Sequence, residues 1–168
     1  MNETARTPRR APARLSLAVQ YAVAARGLPA RGLLRRWVGA ALTPSTRSAA
    51  ITLRFVDLPE GRSLNRRYRS GSDATNVLSF VYDDALGRCR GDIVLCAPVL
   101  RREAAAQGKP LTAHCAHLVV HGVLHLQGAD HQDPAEAQRM EARETAILAS
   151  LGFPDPYETA PRGLRSKR

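Results

Sequence analysis

Residues 111–131 have the sequence LTAHCAHLVVHGVLHLQGADH, which contains all five histidines of the chain. Its apolar residues predict a helix from about Leu111 to Gln127. Gly128 follows this helix, and glycine is common just past a helix end because it adopts the left-handed backbone conformation without strain. This helix and the elements predicted on either side of it decide the fold.

Two more helices are predicted next to it in the sequence. One covers residues 98–107, and the other covers residues 134–150. The latter has a well-marked start, because Asp133 can serve as N-cap, Pro134 can occupy the first helical position and Glu136 completes a capping box. The chain is therefore expected to end in three helices.

Strands and helices alternate in the part of the chain that precedes these helices. Apolar periodicity predicts strands at 15–21, 50–56, 75–82 and 92–96 and helices at 30–42 and 59–68. A loop that contains Asp83, Asp84, Gly87 and Gly91 is expected between the last two strands. The order β-α-β-α-β-β, followed by three helices, predicts the α/β (α+β) class, with a mixed four-stranded sheet and about five helices in a single domain.

The domain organisation follows from length and composition. A length of 168 residues fits one compact domain with short tails. Residues 1–13 are rich in Arg, Pro, Ala and Thr and are predicted to form a disordered basic arm. Residues 160–168 form a second basic tail, so the folded domain is expected to cover residues 14–159.

The chain is strongly basic, with 25 Lys and Arg residues and a formal net charge of +10. All of these except Lys109 and Lys167 are arginines, whose planar guanidinium group suits phosphate recognition. Nucleic acid is therefore the first partner to consider. A general bias of the genome toward arginine, which would place arginines on the surface of any soluble protein, explains the charge equally well. Charge alone therefore does not decide between the two interpretations.

The sequence favours a cytoplasmic protein. Cys89, Cys96 and Cys115 are odd in number and form no CxxC pattern, which argues against a disulfide framework. No segment approaches the ~20 apolar residues of a membrane span. The apolar run that follows the N-terminal arginines faintly resembles an export signal, but residues 15–21 alternate as a half-buried strand does.

Four histidines lie on one face of the predicted helix. At about 100° per residue, positions 114, 117, 121 and 125 fall within an arc of about 80°. His121 and His125 are one turn apart, so both imidazoles can reach one small ion. Gly128 then ends the helix, and Asp130-His131 can fold back to offer a third nitrogen. Three neutral imidazoles suit zinc, so one zinc ion per chain is predicted. Three protein ligands leave the fourth coordination position of the zinc open for water, as a catalytic site needs.

The alternative interpretation is a histidine-rich buried helix without a metal ion. Two histidines four residues apart do not exclude it, but a third after a glycine-broken turn, at the spacing of a known metal motif, favours the metal site. His117 lies about 12 Å from His125 along the helix axis, whereas ligands of one zinc lie within ~2.1 Å of it. His117 and His114 are therefore expected to be core residues or partners of the ligands.

The histidine spacing equals the metzincin protease pattern HExxHxxGxxH except at one position. Gly122 stands where the protease would carry the glutamate that acts as general base. Without that carboxylate the protease interpretation weakens, because peptide hydrolysis loses its proton acceptor. A structural zinc would need a fourth protein ligand, and none lies at motif spacing after His131.

The sequence resembles the bacterial YbeY family of metal-dependent endoribonucleases and rRNA maturation factors. Residues 121–131 match the family signature HGxLHLxGxDH in full. The other matching stretches are LNRRYR at 64–69, TNVLSF at 75–80, GDI at 91–93, Met140-Glu141, LGF at 151–153 and Pro156-Tyr157. The resemblance extends over about residues 15–158. Asn76 stands where many relatives carry Asp, and Ala129 where an aromatic residue is common.

The resemblance implies a function. By it, His121, His125 and His131 bind zinc, and Arg69 lines the cleft as a phosphate-facing catalytic residue. It also implies a single-strand-specific endoribonuclease that matures the 3′ end of small-subunit rRNA and acts in ribosome quality control. RNA, the small ribosomal subunit and its assembly factors are the partners that it implies. Besides the protease, the other alternative is a non-catalytic ribosome-assembly factor in which the zinc is structural.

The residues around Arg69 also have an interpretation of their own. Arg62, Arg66 and Arg67 lie in the same short segment and can contact RNA phosphates. A solvated helix face explains these three arginines equally well.

The general base and the nucleophile stay open at this point. Asp92 and Asp130 are candidates for the base, but Asp130 can equally orient a metal ligand. If the 2′-hydroxyl of RNA attacks, a dedicated base for water matters less.

Overall fold

A computed structural model describes residues 11–69, 75–129 and 132–158 of the chain, with Arg69 described by its backbone alone. The elements follow one another as β1 (Arg14–Tyr21), α1 (Arg31–Ala41), β2 (Ser48–Val56), α2 (Leu58–Arg69), β3 (Val77–Asp83), β4 (Arg88–Cys96), α3 (Ala97–Gln107), α4 (Leu111–Leu126) and α5 (Pro134–Ser150). The predicted order of elements is confirmed. Of the predicted basic arm and tail, only residues 11–13 fall within the described residues.

The four strands form one mixed sheet in the order β1-β2-β4-β3. β1 and β4 both pair with β2 in parallel, whereas β3 pairs with β4 antiparallel as the other half of a hairpin. This arrangement confirms the predicted α+β class with a four-stranded mixed sheet and five helices in a single domain.

The loop between β3 and β4 is shorter than predicted, because Asp83 belongs to β3 and β4 begins early. β4 begins at Arg88 and not at residue 92, so Gly91 lies within the strand and not in the preceding loop. A Cβ atom on Gly91 would lie 2.3 Å from the carbonyl oxygen of Phe80 and 2.6 Å from the side chain of Leu126. This glycine therefore allows β4 to lie close to β3 and α4, a reason that only the packing reveals.

The two faces of the sheet carry separate apolar clusters. Side chains of β2 alternate between the faces, with Ile51, Leu53 and Phe55 directed at the larger cluster. Residues of α1, α4 and α5 complete that cluster. On the other face, α2 packs on a smaller cluster around Val56 and Val94. The sheet thus separates α2 from α4.

α4 is the most deeply buried helix of the larger layer. Ten of its residues are buried, as expected for a helix that is apolar almost all round. It ends as predicted, with Gly128 in the left-handed region at a φ of 91°. The Gln127 side chain accepts a hydrogen bond from the Thr43 amide and donates one to the Ala41 carbonyl, 2.8 Å in each case, which ties this end of α4 to α1.

The predicted capping box of α5 is wrong. Asp133 occupies the N-cap position and Pro134 the first turn, but no side-chain hydrogen bond caps the helix within the described residues. Burial of Met140 and Leu148 holds α5 on α4 instead, because apolar area removed from water outweighs one cap hydrogen bond.

In the described part of the chain, no helix is both long and apolar enough to cross a membrane.

Candidate functional site

The histidine face of α4 brings two imidazoles together, as the four-residue spacing predicts. The Nε2 atoms of His121 and His125 lie 3.1 Å apart. Two nitrogen ligands of one tetrahedral zinc, each at 2.0–2.1 Å, would lie about 3.3 Å apart. The two rings are therefore already close to the separation that a shared zinc ion requires.

A buried carboxylate holds one of these rings. Glu144 of α5 is 0% exposed, and its Oε1 atom lies 2.5 Å from Nδ1 of His121. Its Oε2 atom accepts hydrogen bonds from the Nε2 atom of His117, at 3.0 Å, and from the hydroxyl of Tyr157. The charge is thus removed from water but receives three hydrogen bonds, which is how buried carboxylates are stabilised.

This contact decides the tautomer of the neutral His121 ring. An ionised carboxylate can only accept hydrogen bonds, so Nδ1 of His121 carries the proton in the neutral ring. Nε2 then keeps its lone pair, and this is the atom that faces His125. A carboxylate that holds a histidine in this way is the usual outer partner of a zinc ligand. The residues present therefore fit a zinc ion at this position.

His117 has a different role from His121. Its Nε2 atom contacts Glu144 and also lies 3.2 Å from the hydroxyl of Tyr157. It therefore helps to hold the carboxylate that holds His121, in agreement with its expected role as a partner of the ligands.

The hydrogen bonds dominate the electrostatics of this cluster. Burial by itself raises the pKa of Glu144, but the hydrogen bonds from His117, His121 and Tyr157 outweigh burial and lower that pKa to about 2. Burial and the contact with Glu144 raise the pKa of the Tyr157 hydroxyl. Glu144 is therefore ionised and Tyr157 protonated at neutral pH.

The sequence pattern predicted no role for Glu144 or Tyr157. A signal for Glu144 was present, because it lies four residues after Met140 and four before Leu148, on the face of α5 that is otherwise apolar. A carboxylate in that register must be buried and needs partners. Tyr157 belongs to a stretch that matches the family, but no spacing in the sequence connects it with α4.

Three predicted site residues cannot be placed. Asp130 and His131 lie outside the described residues, and so does the side chain of Arg69. Among the side chains that are described, no group of three His, Cys, Asp or Glu residues has metal-binding geometry. Because the third ligand is not among those side chains, the three-histidine set stays a prediction.

Two other groups of predicted residues lie on the far side of the sheet. Arg62, Arg66 and Arg67 line a shallow cavity of about 400 Å³ on the exposed face of α2. Asp92 faces away from α4, because its two neighbours in β4, Gly91 and Ile93, face α4. The Asp92 carboxylate accepts a 2.7 Å hydrogen bond from Tyr82. The structure therefore separates these residues from the histidines of α4, and Asp92 is not placed to act as a general base beside them.

The packing of Gly122 bears on the protease interpretation. A Cβ atom at this position would lie 3.0 Å from two carbon atoms of Ile93 in β4. The glutamate of the protease pattern would therefore be directed into the sheet. No general base for peptide hydrolysis can be placed there without repacking.

The fold and these contacts define an α+β protein whose central helix carries a histidine–carboxylate site suited to a metal ion. The family model for "Endoribonuclease YbeY" matches residues 30–152 of this chain. The chain is 55% identical to the endoribonuclease YbeY of Aromatoleum aromaticum over 150 residues, which are 88% of this chain and 95% of the relative. It is 53% identical to that of Nitrosospira multiformis, over 92% of this chain and 88% of the relative. The chain therefore belongs to the YbeY endoribonuclease family, and this membership supports a nuclease function.

A solved structure agrees with this fold. The solution structure of a Thermotoga maritima protein aligns with a TM-score of 0.56, and the alignment covers 85% of this chain and 99% of that one. At 17% identity this similarity concerns the fold alone.

Proposed function

We propose that this protein is a zinc-dependent, single-strand-specific endoribonuclease of the cytoplasm that matures the 3′ end of small-subunit rRNA. One zinc ion per chain is held by His121, His125 and His131. The observation that carries the zinc assignment is the hydrogen bond from His121 to the buried Glu144, which leaves Nε2 of His121 facing His125. RNA as substrate is supported by family membership and by the net charge of +10. The small ribosomal subunit and its assembly factors are the proposed partners.

Each residue of the site has a different role in this proposal. Zinc, when bound, supplies Lewis acidity toward a phosphoryl oxygen and lowers the pKa of water. Glu144 orients His121 through Nδ1, and Tyr157 and His117 orient Glu144. Their effect is to fix the ligands before the substrate arrives, so that little reorganisation is needed during cleavage.

Metal analysis with parallel cleavage assays tests this proposal. The purified protein is expected to contain about one zinc per chain and to cleave a single-stranded RNA but not casein, with cleavage lost on chelation and restored by zinc. Casein cleavage would instead indicate a protease. Full zinc without cleavage of any RNA would indicate a non-catalytic role.

Arg69 is proposed to stabilise the charge that builds on the phosphate during cleavage. Arginine keeps its charge and offers paired donors, so Arg69→Ala should slow single-turnover RNA cleavage on the order of a hundredfold. Arg69→Lys should recover only part of the rate, because an ammonium cannot make the paired contact. Arg36→Ala, which removes an exposed arginine of α1, is the matched control. A wild-type rate for Arg69→Ala at full zinc occupancy would remove Arg69 from the mechanism.

The α2 arginines are proposed to contact RNA phosphates outside the metal site. Replacing Arg66 and Arg67 together by Ala should weaken RNA binding and lower the slope of log affinity against log salt by about 0.7 for each lost contact. Deleting residues 1–12 should have a smaller effect. Fluorescence anisotropy at several salt concentrations measures these affinities. An unchanged slope in the double variant would show that Arg66 and Arg67 do not contact RNA phosphates and form only a solvated surface.

A further inference from the structure

The side chain of Gln127 joins the end of α4 to another part of the fold. Its Oε1 atom accepts hydrogen bonds from the Thr43 amide, at 2.8 Å, and from the Thr46 hydroxyl, at 3.2 Å. Its Nε2 atom donates to the carbonyls of Ala41, at 2.8 Å, and Val123, at 3.1 Å. The amide group therefore uses both of its donors and both acceptor positions of its oxygen.

Three of these hydrogen bonds reach the end of α1 and the connection that follows it. Ala41 is the last residue of α1, so its carbonyl has no partner within that helix. Thr43 and Thr46 lie in the connection to β2, and their hydroxyls are 3.1 Å apart. Gln127 is 81 to 86 residues away from these partners in the sequence. The end of α4 is thus fixed against an element that is distant along the chain.

The backbone directly after Gln127 forms a defined turn. The Gly128 amide donates to the His125 carbonyl at 3.0 Å, and the Ala129 amide donates to the Leu124 carbonyl at 3.1 Å. With Gly128 at a φ of 91°, these two bonds form a Schellman motif. Ala129 is half-buried against the larger apolar cluster. The chain therefore leaves α4 in one fixed direction.

Gln127 stands between two of the proposed zinc ligands in the sequence. His125 precedes it by two residues, and His131, which lies outside the described residues, follows it by four. Four residues span at most ~14 Å even when fully extended. The direction in which the chain leaves α4 therefore restricts where the third imidazole can lie relative to His121 and His125.

We propose that Gln127 is a positioning residue of the metal centre. It fixes the direction of the chain after α4 and so favours the approach of the third histidine to the ion that His121 and His125 share. A ligand that is oriented beforehand loses less conformational freedom on binding, which raises the affinity for the ion. The inference rests on the proposed zinc site and adds a residue that acts through the backbone, whereas Glu144 acts on His121 directly.

The zinc affinity of Gln127→Met tests this inference. Methionine is also unbranched but lacks the amide group, so the variant loses all four hydrogen bonds. Zinc affinity, measured by competition against a chromophoric chelator, should fall about tenfold, the lower end of the loss that follows removal of an outer partner of a metal ligand. Gln107→Met, an exposed change at the last residue of α3, is the matched control and should leave the affinity unchanged. Unchanged affinity in Gln127→Met would overturn the inference.

A double-mutant cycle with His131→Ala separates positioning from general damage to α4. The cycle is measured at the higher zinc concentrations that two ligands require. If Gln127 acts through the third ligand, Gln127→Met should change zinc affinity less than about twofold once that ligand is absent. An equal loss in both backgrounds would show that Gln127 only supports the helix that carries His121 and His125. That result would overturn the inference and leave the proposed ligands intact, whereas an unchanged affinity in His131→Ala alone would overturn both.

Thr46→Val is a second variant with a smaller expected effect. It removes only the hydroxyl that donates to Oε1 of Gln127 and keeps a branched side chain of similar shape. Zinc affinity should fall about threefold, the usual effect of one hydrogen bond, and this loss should also disappear in the His131→Ala background. If Gln127→Met does not fold, Thr46→Val decides the question, and an unchanged affinity in this variant would contradict the positioning role.

Discussion

The two ends of α4 carry histidines on the same face but treat them in opposite ways. At the end near Gly128, His121 is hydrogen-bonded to Glu144, a carboxylate that is 0% exposed and has three partners. At the start of the helix, the side chain of His114 is more deeply buried, at 4% exposed against 23% for His121, yet neither ring nitrogen has a hydrogen bond within the described residues.

The difference shows that burial of a histidine does not define its role. A ring whose Nδ1 is held by a carboxylate is restricted to one tautomer and one orientation, which is what a metal ligand needs. The ring of His114 has only the Glu103 carboxylate nearby, 3.6 Å from its Nε2 atom, and is held less firmly. The same residue type on one helix face therefore lies in two different environments.

The largest effect is expected from the removal of a proposed zinc ligand. His125→Ala should abolish tight zinc binding, whereas His117→Ala should retain most of it, because His117 contacts Glu144 and not the proposed ion. The loss in His125→Ala should exceed the roughly 100-fold that follows removal of an outer partner. Elemental analysis together with competition against a chromophoric chelator measures both variants. Full zinc in His125→Ala would show that the ligand assignment is wrong.

The next largest effect is expected from Glu144, at the end of α4 near Gly128. Glu144→Gln should weaken zinc affinity about 10- to 100-fold, because the neutral amide orients His121 less firmly than the carboxylate does. Glu141→Gln, an exposed change on the same helix, is the control and should leave the affinity unchanged.

A spectroscopic measurement separates orientation from general damage in Glu144→Gln. Nitrogen-15 NMR of the histidine rings should show His121 protonated at Nδ1 in the wild type and a mixture of tautomers in the variant. An unchanged tautomer together with unchanged zinc affinity would contradict the role of Glu144.

The smallest effect is expected at the start of α4. In zinc-free protein, His114→Leu should change the free energy of unfolding by less than ~1 kcal/mol or increase it, because it replaces unsatisfied polar atoms by an apolar group of similar size. Glu144→Leu should lower the free energy of unfolding by about 3 kcal/mol or more, because it leaves His117, His121 and Tyr157 without their acceptor. Urea denaturation measures both variants. If His114→Leu lowered the free energy of unfolding as much as Glu144→Leu does, the proposed difference between the two ends of α4 would be contradicted.

The elements themselves could be predicted because each carries a periodic pattern. β1 alternates along its whole length, and α4 is apolar over four turns before Gly128 ends it. The start of β4 could not be predicted in this way, since Gly91 is typical of a loop in sequence and is explained only by the approach of Phe80 and Leu126. Packing from other elements overrode the local signal.

What the sequence by itself determined is the order of elements, the family and the histidine pair. The spacing of His121 and His125 is local, because four residues on a helix always bring two side chains to the same face. Tertiary structure alone decided which nitrogen each ring presents, since Glu144 and Tyr157 reach α4 from elements that are distant in sequence. It also decided that Arg62, Arg66 and Arg67 lie across the sheet from the histidines of α4, because that depends on which face of the sheet each helix packs against.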